Sequence, residues 1–415
     1  MGMTMAEKIL ARAAGKAKVE PGELVVCSVD RAVLLDLNFS PSRLFDRVKR
    51  VFDPEKIAIV LDHSVPAPTV ADAENMIRAR AFAQKFGVRH LYDVGHHGIS
   101  HQIVAEIPLA LPGQLLTCGD SHTCAAGALN CAARGMGAEM LSILCTGRTW
   151  YRVGPTVRYV LEGELQAPVS AKDVFLYIAG EYGDHVNQNV EFVGPAVEAM
   201  SIMERHTIAT MGAEISAEFT TFPADAKLIE YCRARTSEPF TPVESDPDAR
   251  FAAVRSIDVS RLEPYVALPH TVVHNTQPVH QVRGQRIHQA FIGSCANGKL
   301  EDIAMAARMV RGKRVAPGVR FIVTPGSQTI YKEAVRAGYV ETLLEAGAVV
   351  TNSTCGACPG IHMGVLGAGE VCITSSTRNF KGRMGSPAAE IYMASSATVA
   401  ASALTGVITD PRDVL

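Results

Sequence analysis

The chain has 415 residues, 47% hydrophobic and 20% charged, and its 40 basic side chains nearly cancel 42 acidic ones to leave a formal charge of −2. This is too long for a disulfide-stapled mini-scaffold and too apolar for a disordered chain; at roughly 150 residues per domain, two or three domains are expected. With so small a net charge no basic excess suggests a nucleic-acid or membrane partner, and the single Trp and 6% aromatic content argue against a base-stacking platform.

Met1 to Gly15 lacks the basic segment followed by an apolar run that marks a secretory signal. No apolar run reaches the ~18 residues a membrane span needs. A soluble, cytoplasmic protein is therefore expected. Ile57–Leu61 predicts a buried strand and Ala71–Phe86 a helix closed by Gly87. Leu115–Cys118 predicts a short strand, and Cys124–Leu144 reads as a small-residue helix. Thr236–Arg250, rich in Ser, Pro, Glu and Asp, reads as a linker or surface loop. A strand ending at Phe291–Gly293 precedes a helix over Leu300–Val310. Arg320–Val323 predicts a strand, Gln328–Ala337 a helix and Val349–Val350 a strand. Such alternation predicts an α/β fold with mostly parallel sheets. A domain boundary is expected near residue 285, dividing 1–285 from 286–415.

Ten cysteines in an intracellular chain of this size are read first as ligands or small apolar residues, not disulfides. Cys295 lies in Gly293-Ser294-Cys295-Ala296-Asn297, between a strand and a helix. Cys355 and Cys358 form Cys-Gly-Ala-Cys after the strand at Val350. All three fall past strand C-termini, where open α/β sheets place their ligand sites. Spacing alone leaves zinc, an iron–sulfur cluster and no metal open, because one Cys-x-x-Cys arm is a weak signal. Cys118, Cys124 and Cys131 could suggest a second metal site with His122, but their spacing fits no ligand template and packing is expected; Cys372, in a strand, is expected in the core.

Asp62-His63 follows one predicted strand, Asp120-Ser121-His122-Thr123 another, and His101 lies in Gly-Ile-Ser-His-Gln. A histidine beside a carboxylate can hold one tautomer and act as acid, base or donor. Arg378-Asn-Phe-Lys-Gly-Arg383 sets two guanidiniums near each other, suited to bidentate carboxylate binding.

Taken together in chain order, Asp-Ser-His-Thr, Gly-Ser-Cys-x-Asn, Cys-Gly-x-Cys and Arg-Asn-Phe-x-Gly-Arg resemble the aconitase superfamily, over nearly the whole chain from Leu61 to Arg412. The nearest likeness is to its two-subunit hydro-lyases. The resemblance implies three-layer α/β domains around a central [4Fe–4S] cluster, with two interleaved domains in 1–285 and the cluster-bearing domain in 286–415. It implies Cys295, Cys355 and Cys358 as cluster ligands, leaving one iron open to substrate oxygens. Asp62, His63, His101, Asp120 and His122 match its active-site carboxylate–histidine pairs. Glu191 matches a glutamate that pairs with a histidine. Arg378, Arg383 and Ser121 match substrate-binding positions. A swivelling domain is absent from the match, which implies a separate small subunit and an active site at the interface.

The implied reaction moves a hydroxyl between adjacent carbons of a small di- or tricarboxylic acid by dehydration and rehydration. Isopropylmalate, in leucine synthesis, is the first expectation for the substrate; homoaconitate and 2,3-dimethylmalate are alternatives. A non-catalytic zinc- or cluster-binding homologue is the competing class, disfavoured because a structural metal needs neither the histidine–carboxylate pairs nor the arginines. Two departures stand out: Thr377 where the family usually has Asn, and Val33–Ser40 where relatives often carry His-Asp-Gly-Thr.

Overall fold

Short runs of β-branched and aliphatic residues build three sheets and a ribbon. A computed structural model describes residues 2–43 and 45–415; Met1, part of the N-terminal segment read above, lies outside them. The first sheet holds β1 (Arg31–Leu35), β2 (Ile57–Val60), β3 (His90–Tyr92), β4 (Leu115–Cys118) and β5 (Ala132–Gly135). Its order is β3-β2-β1-β4-β5, all parallel. The second holds β6 (Thr156–Glu162), β7 (Asn189–Val193), β8 (Thr220–Thr221) and β9 (Ala253–Asp258), in the parallel order β8-β7-β6-β9.

The third is seven-stranded, from β10 (Tyr265–Ala267), β11 (Thr276–Pro278), β12 (Gln289–Ile292), β13 (Arg320–Val323), β14 (Val349–Val350), β15 (Val371–Thr374) and β16 (Glu390–Ala394). Its order is β11-β10-β16-β15-β12-β13-β14, and only the two pairings made by β10 are antiparallel. This sheet takes its first two strands from before residue 285. An antiparallel ribbon, Leu24–Ser28 with Arg148–Arg152, lies apart. The strands β2, β4, β12 and β15 are buried along their whole length, as parallel strands covered on both faces must be.

The helix predicted at Ala71–Phe86 runs from Val70 to Phe86, with the Thr69 hydroxyl accepting from Asp72 N–H and Gly87 left-handed at φ +70. The expected Cys124–Leu144 helix does not form. In its place stand a 3₁₀ segment Ser121–Leu129, then β5, then a helix Met140–Thr146. Two small-residue positions explain this. Asn130 is left-handed at φ 59, and Gly127 lies so close to Thr220 that a Cβ would fall 1.6 Å from its carbonyl oxygen. Small residues here serve close backbone packing, not helix propensity. Cys118 and Cys131 pack in the core beneath the first sheet, and Cys372 in that of the third. Among the described residues no helix is long and apolar enough to cross a membrane.

The fold turns loops from two sheets toward one place. Asp62-His63 follows β2, Asp120–His122 follows β4, Cys295 follows β12, Cys355 and Cys358 follow β14, and the Arg378–Arg383 loop follows β15. Parallel strands all present the same end, so their following loops collect together.

Candidate active site

Asp62 is buried, and its two oxygens are divided. Oδ1 lies 2.6 Å from His63 Nδ1, and Oδ2 accepts from Ser100 N–H at 3.0 Å. Its backbone carbonyl accepts from Cys355 N–H at 3.2 Å and from Thr354 Oγ1 at 2.7 Å, which ties the first sheet to the cysteine loop of the third. Burial opposes charge on His63, but Asp62 and then Cys355 outweigh it and raise its pKa well above the ordinary value.

Asp120 is the hub of the histidines. Its Oδ1 is 2.7 Å from His101 Nε2 and 3.4 Å from His122 Nδ1, and its Oδ2 is 3.9 Å from His63 Nε2. Burial pushes this carboxyl up, yet hydrogen bonds from His101 and His122 hold it well below the usual carboxylate range. His122 Nε2 in turn lies 2.8 Å from Glu214 Oε1, which also accepts from Arg378 Nε at 2.8 Å. Burial lowers the His122 pKa, but Asp120 and Glu214 together raise it.

The structure thus brings Asp62, His63, His101, Asp120, His122 and Arg378 into one connected network, with Ser121 exposed beside it. It does not bring Glu191 there. Glu191 lies fully buried in β7, bonded to Arg158 Nε at 2.9 Å and to Ser245 Oγ at 2.6 Å. The expected pairing of Glu191 with a histidine is corrected: Glu214 makes it. Glu191 sits mid-strand, so its side chain is held within the second sheet, whereas Glu214 lies in the 3₁₀ turn Gly212–Ile215 after the helix Ile202–Met211. The signal for Glu214 was a lone carboxylate inside the small-residue run Gly-Ala-Glu-Ile-Ser-Ala.

Sequence reading also passed over Asp36. The departing segment Val33–Ser40 delivers this buried carboxylate to the backbone of the histidine turn. Asp36 Oδ2 accepts from Ser64 N–H at 2.9 Å and Oδ1 from His63 N–H at 3.3 Å. Burial, then the neighbouring Asp62, pushes the Asp36 carboxyl up to about 6.

The three thiols are unpaired, and Cys295 and Cys358 are buried. Burial raises Cys295 well above an ordinary thiol, with Cys358 adding to it, and raises Cys355 to about 12 although His63 opposes. Cys358 is the exception: burial is outweighed by Arg383, which lowers it. Arg383 Nη2 lies 3.6 Å from Cys358 Sγ, and Thr377 Oγ1 lies 3.8 Å from the same sulfur. Thr377 therefore stands at the sulfur from the position where the family usually has Asn.

This donor set fits an iron–sulfur group. Three soft sulfurs come from two loops, donors stand ready beside one of them, and coordination would deprotonate the two raised thiols. Arg383 Nε is buried with no partner among the described residues, a donor that awaits an anion. Asp62, His63 and Cys355 alone also bring one ligand atom each within 4.8 Å of one another, a smaller set that a single divalent ion could use.

A family profile described as the aconitase family (aconitate hydratase) matches residues 42–281 and 271–406. The chain is similar to the 3-isopropylmalate dehydratase large subunit of Mycolicibacterium smegmatis, with 57% identity covering 100% of this chain and 98% of that one. It is similar to the 3-isopropylmalate dehydratase large subunit 1 of Methanopyrus kandleri at 44% identity, covering 100% of both. A probable methanogen homoaconitase large subunit from Methanothermobacter thermautotrophicus is 43% identical, covering 99% of this chain and 98% of that one. With a profile spanning both cysteine loops and the histidine turns, and relatives matched end to end, the chain belongs to the aconitase family.

Proposed function

We propose that the chain is the large subunit of a cytoplasmic 3-isopropylmalate dehydratase. It would carry a [4Fe–4S] cluster on Cys295, Cys355 and Cys358 and act with a separate small subunit to interconvert 2- and 3-isopropylmalate. The observation that carries this reading is the histidine network joined through Asp120 beside three unpaired thiols, because a structural metal would need no such network. The end-to-end similarity to large subunits of that enzyme supports the substrate.

Dehydration faces two obstacles: hydroxide is a poor leaving group and the C–H proton is weakly acidic. When bound, the cluster supplies a Lewis acid for the substrate hydroxyl and carboxylate. Asp62 at Nδ1 fixes the His63 tautomer. His122, kept protonated by Asp120 and Glu214, holds a proton of the kind a departing hydroxide requires. Arg378 and Arg383 present guanidiniums to the substrate carboxylates, with Arg378 oriented by Glu214 and Arg383 leaving Nε open. Ser121, exposed beside Asp120, would donate to substrate. The base for the C–H proton falls to the small subunit.

Anaerobic co-purification with the small subunit tests the reading. The expected product is a brown protein with about four irons per chain, no zinc, and higher kcat/KM for isopropylmalate than for homoaconitate. A colourless protein with stoichiometric zinc and no turnover would end the enzyme reading; preference for homoaconitate would reassign the substrate.

A further inference from the structure

Two lysines are buried behind the site. Lys172, at the start of the helix Ala171–Tyr182, is 0% exposed, and Lys299, just before the helix Leu300–Val310, is 2% exposed. A buried ammonium is costly unless an anion compensates it. Among the described residues neither lysine makes an ion pair within 4 Å. The acid that acts most strongly on both is committed elsewhere: Asp302 accepts from Asn297 Nδ2 at 2.9 Å, Ser396 Oγ at 2.7 Å and Lys299 N–H at 3.2 Å. Burial pulls the Lys172 pKa down to about 7 and that of Lys299 to about 8, and Cys295 is among the groups drawing both back up.

Their partners include backbone carbonyls next to the site's functional residues, beside Met211 Sδ at 3.3 Å from Lys172 Nζ and the Thr207 hydroxyl at Lys299. Lys172 Nζ donates to Ser376 O at 2.8 Å and Ser375 O at 3.1 Å, the two residues before Thr377 and Arg378. Lys299 Nζ donates to Thr207 Oγ1 and to the carbonyl of Ala296, the residue after Cys295. Thr207 Oγ1 donates to that same carbonyl at 2.8 Å, so it is gripped twice.

We propose that Lys172 and Lys299 are positioning residues: Lys172 sets the loop that aims Arg378, and Lys299 sets the turn that carries Cys295 and supplies interior positive charge that balances metal-bound thiolates. The charge-balancing part rests on the cluster reading above; the positioning part does not.

The test uses K172M and K299M, each in the cluster-free chain and in the two-subunit holoenzyme. In the cluster-free chain, hydrogen–deuterium exchange should rise about tenfold in peptides covering 375–383 for K172M and 294–299 for K299M, each leaving the other peptide unchanged. In the holoenzyme, K172M should raise KM for isopropylmalate about tenfold with a smaller loss in kcat. K299M should move the cluster midpoint potential to more negative values, since losing a nearby cation disfavours the reduced state. If K172M does not fold, K172Q carries the first arm: its shorter neutral amide cannot hold both carbonyls, so exchange in 375–383 should still rise. Parental exchange in both peptides overturns the positioning role. An iron-loaded, active K299M holoenzyme with parental potential overturns the charge role. A parental holoenzyme without iron overturns the cluster reading and the charge role with it, while the exchange arm still decides positioning.

Discussion

His122 Nε2 and Arg378 Nε share one oxygen of Glu214, each at 2.8 Å. One carboxylate thereby holds a proton-bearing ring and a guanidinium at a fixed separation. The imidazolium and the arginine are locked before substrate arrives, which is the preorganisation electrostatic catalysis depends on.

That pair has a pH window. Glu214 lies below its ordinary 4.5: burial opposes, but His122 and Arg378 prevail, so its stabilisation is present above that value and is lost as pH falls through the lowered folded pKa. His122 lies above its ordinary 6.5, so its share is full below 6.5 and is lost as pH rises through the raised folded pKa. E214Q removes the support for the imidazolium. We expect the alkaline limb of kcat to move to lower pH and kcat to fall about 10- to 100-fold, within the range for general acid–base catalysis, as measured in pH–rate profiles of the two-subunit enzyme.

E191Q should behave oppositely. Glu191 is fully buried, bound to Arg158 and Ser245, and away from the histidine network. Leaving Arg158 poorly paired should cost about 1–3 kcal/mol of stability, with KM and iron content unchanged. Denaturant titration beside iron analysis checks this; a loss of turnover without loss of stability would return Glu191 to the site.

Arg383 donates to Cys358 and has an unpartnered Nε, so it serves a sulfur and an incoming anion together. R383K loses the planar fork. KM should rise by about 10- to 100-fold, the size expected from losing a charge-assisted hydrogen bond of about 1.5–3 kcal/mol, and iron should be released faster on exposure to air. Steady-state kinetics and iron retention over time read the two effects separately.

At Gly127 an added Cβ would meet the Thr220 carbonyl oxygen at 1.6 Å, and that backbone atom belongs to β8 of the second sheet. G127A should therefore destabilise by about 3 kcal/mol or more and reduce the yield of folded chain. Thermal melting of the cluster-free protein checks it.

What could be read from the chain alone was what the chain itself keeps together. Asp62 with His63, Asp120 with His122, Cys355 with Cys358, and Arg378 with Arg383 are close in sequence, and each follows a strand whose apolar run declares it. A parallel sheet then gathers such turns at one end, so the approach of the histidine turns to the Arg378 loop, and of Arg383 to Cys358, followed from pattern and resemblance. The relationships that only the tertiary structure decided join distant segments. Glu214 reaches His122 across 92 residues and Arg378 across 164, and Lys172 reaches Ser376 across 204. Asp36 likewise arrives from a segment with no family signature. The same limit produced the misread helix at Cys124–Leu144: helix propensity and close packing both favour small residues, and only the position of Thr220 against Gly127 tells them apart. Local chemistry is written in neighbouring letters, but which buried carboxylate or ammonium faces a given group depends on packing between elements, and packing has no period in the sequence.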